Sequence, residues 1–222
     1  MKATVRVLLG DDHKIVREGL KMVLADDPGL QVVAEADSGP GVLDMVHALQ
    51  GPLGVDVVLL DIAMPGMDGL NVLQNLRRDW PGLPVLMLST YPEKQYAVRC
   101  IQLGASGYLN KSTNTDALVA ALRRVAAGGM HVSPTTAEAL ASLVSQGRTK
   151  SGIEQLSHRE HQVYLLLTQG HSVSEIGAQL SLAPNTVSTY RARILEKTGT
   201  KNDVELALYA QSIHGGQTST SG

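Results

Sequence analysis

The chain has 222 residues, of which 43% are hydrophobic, and its formal net charge at pH 7 is −2. This length suits one large or two modest domains, and the hydrophobic content is ample for real cores. Residues 1–146 hold 12 Lys and Arg against 15 Asp and Glu, and residues 156–222 hold five of each. Neither part therefore has the strongly basic charge that would by itself indicate nucleic-acid binding.

The sequence predicts a cytoplasmic protein without a membrane span. It contains no run of 18 hydrophobic residues and no charged leader followed by a hydrophobic stretch, so neither a membrane helix nor a signal peptide is expected. The single cysteine, Cys100, cannot form an internal disulfide, which fits a reducing compartment. Because Cys100 falls in an apolar helical pattern, we expect it to be buried by packing.

Short hydrophobic strands and amphipathic helices alternate along the first part of the chain. In the first helix, Ile15, Leu20, Val23 and Leu24 are predicted to share one buried face. The alternation predicts an open, largely parallel sheet with helices on both sides. The five strands are predicted at residues 5–9, 32–34, 57–60, 85–88 and 107–109, and the helices after the first at 42–49, 70–76, 96–103 and 115–127.

Polar side chains follow four of these strands. Right-handed crossovers place the carboxyl ends of parallel strands at one edge, so Asp11, Asp12, Asp61, Ser89 and Lys111 should converge there. Two carboxylates about 5 Å apart repel by roughly 3 kcal/mol at an effective dielectric near 20, so this cluster needs a cation or a proton. Oxygen ligands favour Mg²⁺ over zinc, and an aspartate can accept a phosphoryl group whose charge a metal and a lysine neutralise.

The motifs at these strand ends are similar to those of a known family. They read GDDH at 10–13, DIAMPGMDG at 61–69, LST at 88–90 and GASGYLNK at 104–111. Together they resemble the receiver domain of two-component response regulators, over residues 5 to about 127. The resemblance implies a flavodoxin-like, doubly wound sheet of five parallel strands.

The resemblance also implies a phosphoacceptor and a metal site. Asp61 would take a phosphoryl group from the phosphohistidine of a sensor histidine kinase. Mg²⁺ would be bound by Asp12, Asp61 and the main-chain carbonyl of Ala63, and Asp11 would help through a water molecule.

Three further side chains would respond to the phosphoryl group. Lys111 and Ser89 would hold its oxygens, and Tyr108 would be the aromatic switch that moves with Ser89. Ser89 stands where threonine is more frequent in the family, and the substitution keeps the hydroxyl group.

The second part of the chain predicts helices only. A helix at 136–144 precedes a polar linker at 146–153, and the tail at 215–222 should be disordered. Four short helices lie between linker and tail, and a tight turn separates the second from the third, which is typical of a helix-turn-helix. Their starts are marked by two capping boxes, by a proline in a first turn and by an aspartate: Ser157 with Glu160, Ser172 with Glu175, Pro184, and Asp203.

The third of these helices has one apolar and one polar face. At 100° per residue, Val187, Ile194 and Thr198 share the inner face, with Tyr190 and Arg191 at its borders. The polar face would enter a major groove, although an ordinary helical bundle with a solvated face fits the same pattern. The polar face comprises Asn185, Ser188, Thr189, Ala192, Arg193 and Glu196.

The motifs LSHRE at 156–160, GHSVSEIGAQL at 170–180 and NTVSTYRARI at 185–194 resemble the LuxR-type DNA-binding domain. A receiver joined to this domain is the arrangement of NarL/FixJ-type response regulators. Ala183 stands where a capping serine is common, so the third helix should begin less stably, by about 1 kcal/mol. The resemblance implies these DNA contacts: Asn185, Thr186, Ser188, Thr189, Arg191, Ala192, Arg193 and Lys197.

The small number of cations predicts binding as a dimer. Three to five phosphate contacts per domain, each contributing about −0.9 to the salt slope, would hold a single domain weakly, so two domains on paired half-sites are expected. The resemblance places a candidate dimer surface on the last helix, at Val204, Leu206, Ala207 and Leu208.

These observations predict a phosphorylation-controlled transcription regulator that is not an enzyme beyond its own phosphoryl transfer and dephosphorylation. The expected parts are a receiver (1–129), a helix and linker (130–155), a DNA-binding domain (156–214) and the tail (215–222). Two alternatives stay open. One is a dimeric DNA-binding regulator independent of phosphorylation. The other is an Mg²⁺-dependent phosphatase with an aspartyl nucleophile, although Ala63 stands where such an enzyme usually has its second acid.

Overall fold

The computed structural model describes residues 4–145 and 152–214. The chain divides into two compact units, residues 1–147 and 148–222. The predicted tail and residues 146–151 of the predicted linker lie outside the described residues. None of the helices in the described ranges is both long enough and apolar enough to span a membrane.

The first unit is built on a sheet of five parallel strands in the order β2-β1-β3-β4-β5, which confirms the predicted doubly wound fold. Helices cover both faces of the sheet. The strands are β1 (Val5–Gly10), β2 (Leu30–Ala36), β3 (Val57–Asp61), β4 (Val85–Ser89) and β5 (Gly107–Asn110). The helices are α1 (Lys14–Ala25), α2 (Gly39–Ala48), α3 (Gly69–Asp79), α4 (Glu93–Gln102), α5 (Thr115–Ala126) and α6 (Pro134–Ser145).

Each face of the sheet has its own aliphatic core. Every residue of β3 and of β4 is buried, because these central strands have helices on both sides. One core joins the sheet to α2, α3 and α4 and includes Cys100, which is buried as expected. The other core joins the sheet to α1 and α5.

The predicted inner face of α1 was wrong at Ile15. Its side chain is 88% exposed, whereas Leu24 is 1% exposed. At 100° per residue the nine positions between them place Ile15 on the opposite side of the helix, and Val16 takes the half-buried position instead.

Residues that follow the fifth helix pack on the first unit. The amide of Tyr108 donates to the carbonyl of His131 (3.2 Å), and the amide of His131 donates to the carbonyl of Ser106 (2.9 Å). Helix α6 contacts α4, where the buried hydroxyl of Thr136 donates to the carboxylate of Glu93 (2.8 Å). The domain limit at residue 129 stays a prediction, and these contacts argue for placing it after α6.

The second unit contains α7 (His158–Thr168), α8 (Val173–Leu180), α9 (Pro184–Thr198) and α10 (Asp203–His214). Both predicted capping boxes are formed, at the starts of α7 and α8, and Ala183 begins α9 without a side-chain cap. A short 3-10 turn at Gly152–Gln155 precedes α7, and its Ile153 packs against the helical core, so these residues are not free linker.

Candidate functional site

Three acids meet at the carboxyl edge of the sheet, as the strand ends predicted. Asp11 follows β1 and Asp61 ends β3, and each is 2% exposed, while Asp12 is partly exposed. The start of α3 lies close to the end of β3, because Gly69 has no side chain there. A Cβ on Gly69 would lie 2.0 Å from the carbonyl oxygen of Asp61, so only glycine permits this approach.

Lys111 joins two of these acids. Its Nζ lies 2.7 Å from Oδ2 of Asp61 and 2.6 Å from Oδ2 of Asp11, and its side chain is 11% exposed. Burial raises the pKa of Asp61, and the ion pair with Lys111 opposes that rise. Burial by itself would lower the pKa of Lys111, but the hydrogen bonds with Asp11 and Asp61 outweigh it and raise the pKa. Lys111 therefore stays a cation between two carboxylates.

The remaining acidic oxygens suit a hard cation. Asp11, Asp12, His13 and Asp61 each offer one ligand atom, and these atoms all lie within 4.8 Å of one another. Oδ2 of Asp11 and Oδ1 of Asp12 are buried, and their ion-pair contacts are with Nζ of Lys111 (2.6 Å) and Nδ1 of His13 (2.7 Å) respectively. Carboxylate oxygens in this state fit a divalent metal, since Mg²⁺ prefers oxygen ligands.

Ser89 and Tyr108 are connected through the backbone of Tyr91. Ser89 is fully buried, and its Oγ accepts a hydrogen bond from the amide of Tyr91 (3.3 Å). The carbonyl of Tyr91 accepts from the hydroxyl of Tyr108 (2.7 Å) and from the side chain of Asn110 (3.1 Å). Burial raises the pKa of Tyr108, so its hydroxyl stays a donor at neutral pH. The side chains of the two predicted switch residues thus both bond the backbone of Tyr91, in the loop that follows β4.

Sequence reasoning missed three groups around this edge. His13 joins the acid cluster through contacts of 2.7 Å with Asp12 and 3.2 Å with Asp11. Asn110 holds the Tyr91 loop, and Arg17 donates to the carbonyl of Asp11 (2.6 Å). His13 follows the two acids directly, which was a usable signal, whereas a bond to a main-chain oxygen leaves no trace in the residue pattern.

The outward face of α9 is exposed, as predicted. Val187 and Ile194 are fully buried, and Tyr190 and Arg191 are half-buried at the borders. A shallow groove of about 360 Å³ runs along the outer side. It is lined by Asn185, Thr186, Thr189, Tyr190 and Arg193, all of which except Tyr190 are among the predicted DNA contacts.

Two of the three predicted DNA-contacting cations are engaged within the second unit. Nε of Arg191 lies 2.8 Å from Asp203 at the start of α10, and Nζ of Lys197 lies 2.6 Å from the buried carboxylate of Glu160. Arg193 is exposed and forms none of the ion pairs between described residues. The basic charge that α9 offers to a ligand is therefore concentrated at Arg193.

The predicted dimer surface needs a correction at Leu206. Its side chain is fully buried in the helical core of the unit, where α10 packs against α7 and α9. Val204 and Leu208 are 70% and 60% exposed, and Ala207 is half-buried, so only these three of the four candidates reach the surface of α10.

Two family models match the chain. The response regulator receiver domain matches residues 7–123, which is more than half of the sequence. The model described as bacterial regulatory proteins, luxR family, matches residues 154–210.

Similar proteins cover nearly the whole chain. The response regulator GacA of Pseudomonas aeruginosa is 41% identical over 93% of this chain and 95% of its own length. The crystal structure of the response regulator ChrA, of a haem-sensing two-component system, covers 96% of this chain and 98% of its own, with 33% identity and a TM-score of 0.52. A structure of RcsB from Salmonella enterica, bound to promoter DNA with the phosphomimetic BeF₃⁻, covers 93% and 98%, with 25% identity and a TM-score of 0.55.

Proposed function

The chain belongs to the response regulators that combine a receiver domain with a LuxR-type DNA-binding domain, and we propose that phosphorylation of its Asp61 controls DNA binding by its second unit. The proposal includes a sensor histidine kinase as the phosphodonor, promoter DNA as the ligand, a homodimer as the active form and the cytoplasm as the compartment. In it, the protein catalyses nothing beyond the gain and loss of its own phosphoryl group.

The arrangement of Asp61 and Lys111 is the single observation that carries this proposal. Oδ2 of Asp61 accepts from Lys111 (2.7 Å) and Oδ1 accepts from the amide of Ala63 (3.3 Å), so the carboxylate is held at the edge of the sheet. During transfer, an oxygen of Asp61 forms a bond to phosphorus while the bond from phosphorus to the histidine nitrogen of the kinase breaks. The ammonium of Lys111 then neutralises charge on the phosphoryl oxygens.

The donor set fits Mg²⁺, which is typical of receivers. Asp12, Asp61 and the carbonyl of Ala63 would hold the ion directly, and Asp11 would act through water. When bound, Mg²⁺ supplies positive charge for the transferred group. The residues themselves orient the acceptor oxygen and keep Lys111 beside it.

Contacts that start at Ser89 offer a route away from the phosphoryl group. Ser89 accepts a hydrogen bond from the amide of Tyr91, and α4 begins two residues later at Glu93. The carboxylate of Glu93 accepts a hydrogen bond from Thr136 of α6. A new charge at Asp61 that draws Ser89 toward it would therefore move the residues along this route. Helix α6 is the last described element before residues 146–151, so the path ends where the connection to the second unit begins.

The exposed face of α9 supports DNA as the ligand of the second unit. Its groove combines a carboxamide, hydroxyls and the exposed guanidinium of Arg193, which are groups that bond base edges and phosphates. The RcsB complex, in which a related protein with a phosphomimetic is bound to its promoter, supports the coupling between the two units.

The test is a DNA-binding titration of the full chain with acetyl phosphate and Mg²⁺. DNA sites are first selected from a random-sequence pool with the phosphorylated protein. Wild type should bind roughly 5–150-fold more tightly after phosphorylation, which is the usual range of coupling between two sites, and Asp61→Asn should show no gain. The matched control Asp79→Asn removes a surface carboxylate that pairs with neighbouring Arg78, and it should behave as wild type.

Two results would contradict the proposal. Equal affinity of wild type with and without the phosphodonor would favour the phosphorylation-independent regulator. Repeated hydrolysis of an external phosphate ester, lost in Asp61→Asn, would favour the phosphatase. Mass spectrometry of the acetyl-phosphate reaction separates the steps, because one phosphoryl group should appear on wild type and none on Asp61→Asn.

A further inference from the structure

Arg17 lies behind the loop that carries the acids, outside the set of residues assigned so far. Its Nη1 donates to the carbonyl oxygen of Asp11 (2.6 Å), and its Nε donates to the carboxylate of Glu35 (3.2 Å). Its side chain is 12% exposed, although most of α1, the helix to which it belongs, is exposed to solvent. The guanidinium therefore joins α1, the loop after β1 and the end of β2.

Glu35 is the carboxylate partner of Arg17 in this contact. It also accepts from Nζ of Lys21 (3.0 Å), which in turn pairs with Glu18 (2.8 Å). The hydrogen bond from Lys21 lowers the pKa of Glu35, burial opposes the shift, and the bond from Arg17 lowers the pKa further. Glu35 therefore stays ionised at neutral pH and holds the guanidinium.

Hydrogen bonds hold the backbone of Asp11 at both its amide and its carbonyl. The amide of Asp11 donates to the carbonyl of Ala36 (3.1 Å) in β2, and its carbonyl accepts from Arg17. Oδ1 of Asp11 then accepts from the amide of His13 (2.8 Å), which sets the turn that carries Asp12. The positions of Asp11 and Asp12 thus depend on the backbone of this one residue.

We propose that Arg17 is a positioning residue of the metal and phosphoryl site, acting through the Asp11 carbonyl rather than through contact with any reacting atom. The proposal rests on the proposed function of Asp61. A partly exposed ion pair contributes only about 0–1 kcal/mol to stability, so the pair with Glu35 has little value as a stabilising contact. A planar guanidinium holds its donors in a rigid fork, which suits it to fixing the geometry of two acceptors, whereas a lysine ammonium is a flexible point charge that does not reproduce this geometry.

The experiment compares Arg17→Gln with the matched control Lys21→Gln in the full chain. Both variants remove a cation of α1 that pairs with Glu35, and only Arg17 reaches Asp11. Calorimetric titration with Mg²⁺ alone should show affinity weakened roughly 10–100-fold in Arg17→Gln, as for other residues that orient metal ligands, and unchanged within about twofold in Lys21→Gln. Arg17→Lys should stay impaired.

A kinetic split separates positioning from general damage. The Mg²⁺ concentration that gives half the maximal rate of phosphorylation by acetyl phosphate should rise by the same factor in Arg17→Gln, while the rate at saturating Mg²⁺ stays within about twofold of wild type. Equal Mg²⁺ affinity in wild type and Arg17→Gln would overturn the proposal. If Arg17→Gln does not fold, Glu35→Gln replaces it, and unchanged Mg²⁺ affinity there overturns the proposal equally.

Failure here is distinguishable from failure of the proposed function. A wild-type protein that binds no Mg²⁺ and gains no phosphoryl group would refute the role of Asp61 itself. A wild type that does both, beside an Arg17→Gln variant that matches it, refutes only the role of Arg17.

Discussion

The two units of this chain treat their charged groups in opposite ways. In the first unit, Asp11 and Asp61 are 2% exposed and share one ammonium, that of Lys111. In the second unit, the groups offered to a ligand lie on an exposed helix face, and two of its cations are engaged by Asp203 and Glu160. A buried charge that loses its partner is not solvated by water, whereas an exposed charge is. Single substitutions should therefore have large effects in the first site, whereas the second site should depend on many weak contacts.

Replacing Lys111 should give the largest effect. Lys111→Met removes the cation that two buried carboxylates share, so the free energy of unfolding of the first unit should fall by about 3 kcal/mol at pH 7 without Mg²⁺. Urea unfolding followed through Trp80, the single tryptophan, reports on this unit alone. Lys21→Met, which loses only surface pairs, should change it by less than about 0.5 kcal/mol.

The pH dependence of that variant follows from Asp61. Burial raises its pKa above the value of 3.8 that it has in an unfolded chain, so the stability it contributes is greatest below that pH and is lost as pH rises through the folded pKa. In Lys111→Met, this loss of stability with rising pH should be larger, because the ammonium that opposes the rise in the pKa of Asp61 is gone. The difference between Lys111→Met and wild type should thus shrink toward pH 4, and a constant difference would contradict the ion-pair account.

Lys197→Met should have the next largest effect, and it tests whether a predicted DNA contact is structural. It leaves the carboxylate of Glu160 without its cation, and since Lys197 is 33% exposed the cost should be about 2 kcal/mol, in the second unit only. Circular dichroism reports the helices of both units, and Trp80 fluorescence, which reports the first unit alone, identifies the part of the transition that belongs to the second unit. An unchanged unfolding midpoint would mean that the pair with Glu160 is not structural, and Lys197 would remain a predicted DNA contact.

Acid should weaken the same contact in wild type. Burial opposes the shift, but the bonds from Lys197 and from the amide of Ser157 outweigh it and lower the pKa of Glu160. The contribution is present above the ordinary pKa of 4.5 and is lost as pH falls through the lowered one. Lys197→Met should lack most of this acid-dependent loss.

Arg193→Ala should reduce DNA affinity by about 1 kcal/mol and the salt slope by about 0.9, the share of one phosphate contact. Arg191→Ala should change the slope less, because Asp203 already holds that guanidinium. Fluorescence anisotropy over a salt series measures both slopes. Equal changes in the two variants would show that DNA draws Arg191 away from Asp203.

Tyr108→Phe should have the smallest effect. It removes one donor from the carbonyl of Tyr91, and the side chain of Asn110 (3.1 Å) still bonds that oxygen. The free energy of unfolding should therefore fall by less than about 1 kcal/mol. A larger loss would mean that the Tyr91 loop depends on Tyr108 alone.

Much of the fold and of the acid cluster could be predicted from residue patterns. The runs at 57–60 and 85–88 form buried central strands, and the capping boxes at Ser157 and Ser172 begin helices. Local signals of this kind do not depend on distant partners. The mistake at Ile15 was one of helix period, whereas the mistake at Leu206 lay where a partner matters, because the burial of Leu206 depends on how α10 packs against α7 and α9.

The sequence by itself determined which segments become strands and helices, and that acids and a lysine meet at one edge, because strand periodicity and crossover handedness are properties of the local chain. Only the tertiary structure decided the pairings. It placed Lys111 between Asp11 and Asp61, held Arg17 on a main-chain oxygen, and set Lys197 against Glu160 rather than free for DNA. The strength of an interaction between side chains from distant segments depends on their separation and burial, and residue spacing in the sequence gives neither quantity.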